Sequence, residues 1–271
     1  MYYELEFISL RTQKNMFMKQ MKFWMVALTV LMGVSFTSCM NGDNNTVTSG
    51  YLVTRVSGIL PYTFKTLDGY TMNTVKQQNG IIGTEASYGD LVYIAYTYDY
   101  EADVDATGKK INIELYGIEK IDGNQVLSAL TEGEGDIEAN RGVQAVTIEG
   151  TTATQKVGPF MYDNDNLVIP IIYYAKEKLS DHRFTIMYYE DELDGGSLVL
   201  HLRHVSTETE KEETKTGFSY KGFNISSALY QYNEKNGKYP SEIKIYADIN
   251  TSGTAVPNNP TFTTMTYERI K

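Results

Sequence analysis

The chain reads as all-β: a small five-stranded barrel followed by an antiparallel β-sandwich. Three observations predict this. Between residues 51 and 270 the apolar residues fall in short β-branched or alternating runs, bounded by Gly, Pro, Asn or Asp. A polar stretch at 123–158, broken by Gly133, Gly135 and Gly142, separates the earlier runs from the later ones. Only residues 226–232 carry a helical pattern, and it is short.

Residues 1–38 read as a signal peptide. Lys19 and Lys22 form a basic n-region, and residues 23–34 an apolar h-region too short to span a bilayer as a helix. Glu4 and Glu6 are out of place ahead of it, and Met16, Met18 and Met21 each offer a better start. Residues 1–15 therefore read as an over-extended gene start. Cys39 is the only cysteine of the chain and directly follows Phe36-Thr37-Ser38. A small residue before a cysteine at this place suits lipoprotein signal peptidase. The Cys39 thiol is then expected to carry diacylglycerol, and the freed amine a further, palmitate-type chain. Two or more chains anchor stably, at ~0.8 kcal/mol per buried methylene. The rival, an ordinary signal peptide or single anchor helix, leaves the position of Cys39 unexplained. Residues 39–50, polar with Asp43 as their one charge, complete the anchor as a flexible tether.

Residues 1–38 hold Arg11, Lys14, Lys19 and Lys22 against Glu4 and Glu6, so the remainder carries 20 basic and 32 acidic side chains, a balance of −12. Such a surface repels phosphate backbones, which argues against nucleic acid. With Cys39 spent on lipid, neither a disulfide nor a thiolate zinc site can form, and the fold must rest on its core. The expected placement is the outer membrane, lipid-anchored and facing either the periplasm or the exterior.

The barrel is expected over 51–122. Residues 52–59 are β-branched; 62–66 and 70–75 flank Asp68-Gly69, a hairpin signal. Residues 91–100 form the strongest strand, with Val92, Ile94, Tyr96 and Tyr98 on one face and Leu91, Tyr93 and Ala95 on the other. Residues 111–121 follow. Five strands in so short a span suit a closed barrel. Residues 123–158 read as a joining segment, with 143–148 as either an edge strand or part of the join. The sandwich is expected over 159–271, with strands at 167–174, 183–189, 197–205, 216–225, 242–249 and 261–270. Ile243, Ile245 and Ala247 alternate with Lys244, Tyr246 and Asp248, and Leu198, Leu200 and Leu202 with Val199, His201 and Arg203. Pro170 argues for an edge or a bulge within its strand. Asp194-Gly195-Gly196 and Asn236-Gly237 mark turns.

Candidates for chemistry are few. Asp103, Asp105, Thr107, Gly108 and Glu114 match a calcium loop in spacing, but strands flank it and Lys109 and Lys110 sit where the cation would. A hairpin turn is the better reading. Asp163-Asn164-Asp165-Asn166 reads as a solvated turn. His201 and His204, three apart on a strand, point to opposite faces and cannot share one ion. His201 and Arg203 share a polar face that suits a cross-strand network. Glu190, Asp191, Glu192 and Asp194 read as charges that keep a hairpin soluble. No nucleophile elbow, catalytic triad spacing or phosphate-binding loop is present, so no catalytic residue, metal ligand or cofactor is assigned. Tyrosine is abundant, at 22 residues, and the one tryptophan, Trp24, lies in the signal segment. Tyr93, Tyr96, Tyr98 and Tyr100 crowd one strand and form the candidate binding surface, against the plainer reading that Tyr favours half-buried sheet.

The chain resembles the NigD-like lipoproteins of gram-negative bacteria. The likeness rests on Tyr88-Gly89-Asp90-Leu91-Val92, on Ile113-Glu114-Leu115-Tyr116-Gly117-Ile118, and on residues 182–204, ending in Leu200-His201-Leu202-Arg203-His204. The charged loop at 206–215 departs from the pattern in length. The resemblance implies an OB-type barrel before a β-sandwich and a bacteriocin- or immunity-associated role, and it carries over no catalytic residue. The function expected is a non-enzymatic envelope lipoprotein that binds a protein or peptide partner. The alternative is a glycan-binding accessory lipoprotein or a carboxylate-based hydrolase. If the anchor is read correctly, Cys39→Ala abolishes incorporation of radiolabelled palmitate and moves the protein from the membrane to the soluble fraction.

Overall fold

The computed structural model describes residues 46–77, 86–149, 156–176, 181–209 and 215–269. Cys39, the signal segment and residues 40–45 of the expected tether lie outside the described residues. The chain divides into two units: one ends at Gly89 and resumes over Tyr93–Glu119, and the other comprises Asp90–Val92 with Lys120–Lys271.

The first unit is built from β1 (Val47–Ile59), β2 (Tyr62–Lys65), β3 (Thr71–Gln77), β4 (Leu91–Asp99), β5 (Val104–Asp105) and β6 (Lys110–Lys120). They form one sheet in the order β3-β2-β1-β4-β6-β5, and a further parallel pairing of β3 with β6 closes the ring. The short β5 is a flap hairpinned onto β6. Closure through five strands removes both edges of the sheet, the arrangement of an OB-type barrel. Phe64, Met72, Ile94, Ile111, Ile113 and Leu115 are withdrawn from solvent entirely or nearly so. Ile111, Ile113 and Leu115 recur at every second residue of β6, the alternation the sequence displays. Gly50 has a steric reason: a Cβ there would lie 3.0 Å from the ring of Tyr96.

The expected tether is corrected at its end. Val47 to Gly50 belong to β1, Thr46 Oγ1 donates to Asp99 Oδ2 at 2.6 Å, and Tyr100 N–H donates to Thr46 O at 3.1 Å. Polar composition concealed this, because half of an outer barrel strand faces water.

The second unit holds β7 (Gln125–Ala129), β8 (Ile148–Glu149), β9 (Lys156–Val157), β10 (Phe160–Met161), β11 (Asn166–Ala175), β12 (His182–Tyr189), β13 (Leu198–Ser206), β14 (Lys215–Asn224), β15 (Glu242–Ala247) and β16 (Thr261–Thr266). One sheet runs β16-β15-β13-β12-β7 and the other β10-β11-β14, with β8 and β9 as a separate hairpin. Leu167, Ile169 and Ile171 of the smaller sheet share one core with Leu198, Leu200 and Leu202 of the larger. The sandwich is mixed, not purely antiparallel: β12 pairs with β7, and β13 with β15, in parallel. A parallel neighbour needs a long crossover, and β14 followed by a helix supplies it between β13 and β15.

That helix, α1 (Ser226–Asn236), buries Ala228, Leu229 and Tyr232 and stops at Gly237, whose φ of 67° is left-handed. Asn236-Gly237 is therefore a helix C-cap rather than a free turn, its N–H closing on Asn233 O at 2.8 Å. Pro170 sits where its missing N–H costs nothing. The outer edge of β11 is paired at Val168 by Phe160 and bridged at Ile172 by Ala145, and Pro170 falls between.

The expected joining segment 123–158 is the larger correction. Gln125–Ala129 is a full strand of the five-stranded sheet, and Val143 and Ala145 bridge to Ile249 and Ile172. Mostly exposed at Gln125, Leu127 and Ser128, β7 shows little alternation in sequence. Leu200→Ala should cost roughly 2–5 kcal/mol of stability through the cavity it leaves, whereas Tyr230→Ala on the exposed side of α1 should stay within about 0.5 kcal/mol of wild type. Urea unfolding of both variants checks the contrast.

Candidate functional site

The four tyrosines expected to form a surface are divided by the alternation of β4. Tyr96 is buried and stacks against half-buried Tyr98, with centroids 6.0 Å apart. Burial pushes both phenols above their ordinary pKa. Tyr93 lies on the other side of the strand, where its ring stacks on Tyr51 at 5.8 Å and 15°. Tyr51 is 42% exposed. Tyr100 lies beyond the end of β4. The aromatic feature presented outward is therefore the Tyr51–Tyr93 pair.

The second constellation lies on the outer face of the five-stranded sheet, opposite the leucines of β13. His201 is clamped between the rings of Tyr189 and Tyr246 at 4.6 and 5.2 Å, and its Nε2 meets Glu192 Oε2 at 2.7 Å. Its buried Nδ1 has no hydrogen-bond partner. Two residues on, Arg203 Nη2 donates to Tyr189 Oη at 2.7 Å, Asp136 Oδ2 at 2.8 Å and Glu132 Oε1 at 2.9 Å. Tyr189 Oη in turn donates to Asp136 Oδ2 at 2.8 Å. Burial alone would lower the Arg203 pKa; the hydrogen bonds to Asp136 and Glu132 outweigh it and raise the value. Burial, then the bond to Asp136, raises Tyr189. Asp248, whose carboxylate comes to 4.0 Å from Arg203, is raised by burial against the pull of that cation.

A third network lies at the end of β12 and β13 on the core side. His182 Nδ1 is 2.9 Å from His204 Nε2, His182 Nε2 is 3.0 Å from Glu208 Oε2, and His204 Nδ1 is 3.1 Å from Gly142 O. Donor counting orders the protons. Gly142 O can only accept, so His204 Nδ1 donates and its Nε2 must accept from His182. The remaining link then holds one proton between His182 and Glu208, which leaves that pair neutral overall. Lys176 N–H also donates to Glu208 Oε2 at 2.8 Å. Phe184 stacks on His204 at 4.5 Å, and burial first of all depresses His204 to about 3.

The acids of the two oxygen-rich loops, and Asp194, are engaged locally. Asp103 Oδ2 accepts from Asp99 N–H and Asp105 Oδ1 from Gly108 N–H, both at 2.8 Å, while Glu114 pairs with Lys76 at 2.6 Å. The residues of the calcium-like spacing thus lie in the β5–β6 hairpin and on the barrel wall. Asp163 Oδ1 accepts from the N–H groups of Asp165 and Asn166 at 3.0 and 2.9 Å, an Asx turn. Asp194 pairs with Lys235 at 3.1 Å. Among the described residues, no group of three or more His, Cys, Asp or Glu side chains could hold a metal ion, and no helix is long and apolar enough to cross a membrane.

Glu132, Asp136 and Glu208 escaped the reading of the sequence. Arg203 itself signalled a need for anions, since a guanidinium in an apolar strand demands them, but nothing in the sequence set the acidic run at 132–138 apart from the nearer ones at 190–194 and 208–213. Nothing in spacing singled out Glu208 from the other acids of its loop.

No protein-family model and no curated relative matches the sequence. Solved structures do match the fold. A protein of Bacteroides fragilis designated a lipoprotein superposes with a TM-score of 0.66 at 22% identity, over 84% of this chain and 100% of its own. A NigD-like immunity protein of Bacteroides caccae gives 0.50 at 12% identity, over 82% of this chain and 94% of its own. A protein of unknown function from Bacteroides vulgatus gives 0.51 at 14% identity, over 82% and 92%. The barrel-plus-sandwich fold implied by the resemblance to NigD-like lipoproteins is the fold these structures share with the chain.

The His204 network makes stability depend on pH with a defined sign. An unfolded imidazole titrates near 6.5, so between that value and about 3 the unfolded chain binds the extra proton. The contribution is complete above about pH 6.5 and is lost as pH falls toward 3. Urea unfolding should show a loss of roughly 2–3 kcal/mol between about pH 7 and about pH 4.5, and a smaller loss in His204→Gln.

Proposed function

We propose that this chain is a lipid-anchored, non-enzymatic cell-envelope protein of NigD-like type that binds a protein or peptide partner through the outer wall of its barrel. The observation that carries the reading is the Tyr51–Tyr93 stack, displayed on the barrel exterior, while in the sandwich His182 is bonded to Glu208 and Arg203 to Asp136. Anchoring is supported by Cys39 behind its h-region and by a fold like that of a protein designated a lipoprotein. An immunity role is supported by the likeness to the NigD-like immunity protein, and its partner would then be a proteinaceous toxin.

The chemistry of the tyrosine pair favours protein over sugar. Each ring commits a face to the other, whereas sugars stack best on open aromatic faces. Tyr is also a frequent anchor of protein interfaces. A carboxylate hydrolase needs one acid free to give a proton and another free to attack or to activate water. Here Asp136 and Glu132 hold Arg203, and Glu192 holds His201.

Crosslinking and pull-down from whole cells tests the proposal. A protein partner should be captured by wild type and bound at least ~30-fold more weakly by the Tyr51→Ala/Tyr93→Ala double variant, as for an interface anchor. Retention of soluble oligosaccharides alone would overturn it.

A further inference from the structure

Among the described residues, β16 ends the five-stranded sheet with an open edge, and every residue of it is exposed or half-exposed. Its backbone parity can be read from a single bond. Tyr267 N–H donates to Ser241 O at 3.0 Å, which makes Ser241 and Tyr267 a hydrogen-bonded pair just beyond the strand end. Bonded and non-bonded pairs alternate along an antiparallel ladder. With Glu242 opposite Thr266, Lys244 opposite Thr264 and Tyr246 opposite Phe262, these three are the non-bonded pairs. The N–H and C=O groups of Phe262, Thr264 and Thr266 therefore point away from β15, toward the open side.

Edge strands are ordinarily guarded by lysine, proline, a bulge or a cover. Thr261-Phe262-Thr263-Thr264-Met265-Thr266 has no charge, no proline and no register break. The uncharged stretch is longer than the strand: from Ile249 to Thr266 no side chain is ionisable, in a chain of net charge −10. Threonine and phenylalanine are also strong strand formers.

We propose that β16 pairs antiparallel with β16 of a second copy, about a two-fold axis through Thr264. Thr264 then faces its own counterpart, and Phe262 faces Thr266 of the other copy, so all three residues with outward backbone groups fall on bonded pairs. The edge is self-complementary in hydrogen-bond parity, as an isologous interface requires. Charge selects the second copy as occupant. Two acidic molecules repel over most of their surface, and the neutral edge is where approach costs least; a charged foreign strand would meet no opposite charge on 249–266. The outer-face row continues across the junction, with Thr264 against Thr264, a favourable cross-strand pair.

Cysteine crosslinking in the full chain, in its own membranes, tests the register. Thr264→Cys should form a disulfide-linked dimer on mild oxidation. Thr266→Cys, which the axis separates from its counterpart by roughly 13 Å at strand spacing, should give at least ~10-fold less. Cys39 is common to both variants and serves as the internal control. Side-chain charge supplies a second arm that leaves the β15 ladder untouched. Thr264→Lys should weaken self-association of the purified full chain at least ~10-fold, because like charges meet on the axis, and mixing it with Thr264→Glu should restore the dimer. Equal crosslinking of the two cysteine variants, no crosslinking of either, crosslinking of Thr264→Cys only to a different protein, or no recovery on mixing would each overturn the proposal.

Discussion

Arg203 sets the condition that the outer layer of the C-terminal unit has to meet. Its guanidinium lies on a central strand with the side chain only 8% exposed. A buried cation stripped of its anion costs about 3–5 kcal/mol. Three pieces of chain answer that demand: the segment after β7 through Glu132 and Asp136, β12 through Tyr189, and the chain just past β15 through Asp248. The segment after β7 is held besides by backbone bonds, from Asp191 N–H to Leu130 O at 3.3 Å and from Asn140 N–H to His204 O at 3.2 Å. Gly133 and Gly135 hold left-handed φ of 94° and 80°, and of its side chains Ile137 packs against the small cluster of Ala129, Met187 and Tyr189.

β13 carries two polar networks of different character on its two sides. Outward, charge is neutralised by charge, and one of the acids, Glu132, remains largely in water. Inward, His182, His204 and Glu208 form a directional chain in which three of the four ring nitrogens have an assigned donor or acceptor role. The inward chain fixes the end of the sheet to Gly142, on a segment that also bridges the two sheets at Val143 and Ala145. Both networks draw their acids from stretches that look like linker or loop. The polar connections are thus tied to the sheet rather than draped over it.

What was legible followed from periodicity. Leu198, Leu200 and Leu202 against His201 and Arg203, and Ile243, Ile245 and Ala247 against Lys244 and Tyr246, announced both strands and their faces, because burial on one side only leaves a period of two. Closure of the barrel followed from the count and shortness of the runs. What was hidden had no periodic signature. β7 is a short edge strand exposed at most of its positions. The parallel pairs depend on which strands become neighbours, which alternation cannot state. The division of the tyrosines was hidden for a related reason: four aromatic residues crowd residues 93–100, yet the pleat sends Tyr93 out and Tyr96 in. Tyr51, the ring that completes the outward pair, comes from another strand and could be found only through the fold.

The parallel seam between β3 and β6 has a consequence for how the molecule is born. Thr71 of β3 finds its mate in Lys110, the first residue of β6. A chain emerging amino end first, from a ribosome or through a translocon, completes the β1-β2-β3 meander long before the strand that seals it arrives. Until then the meander is an unfinished cylinder with a bare seam, and pairing across such a distance along the chain is slow. The vulnerable moment in this protein's life is therefore its delivery, in the interval between the emergence of β3 and that of β6.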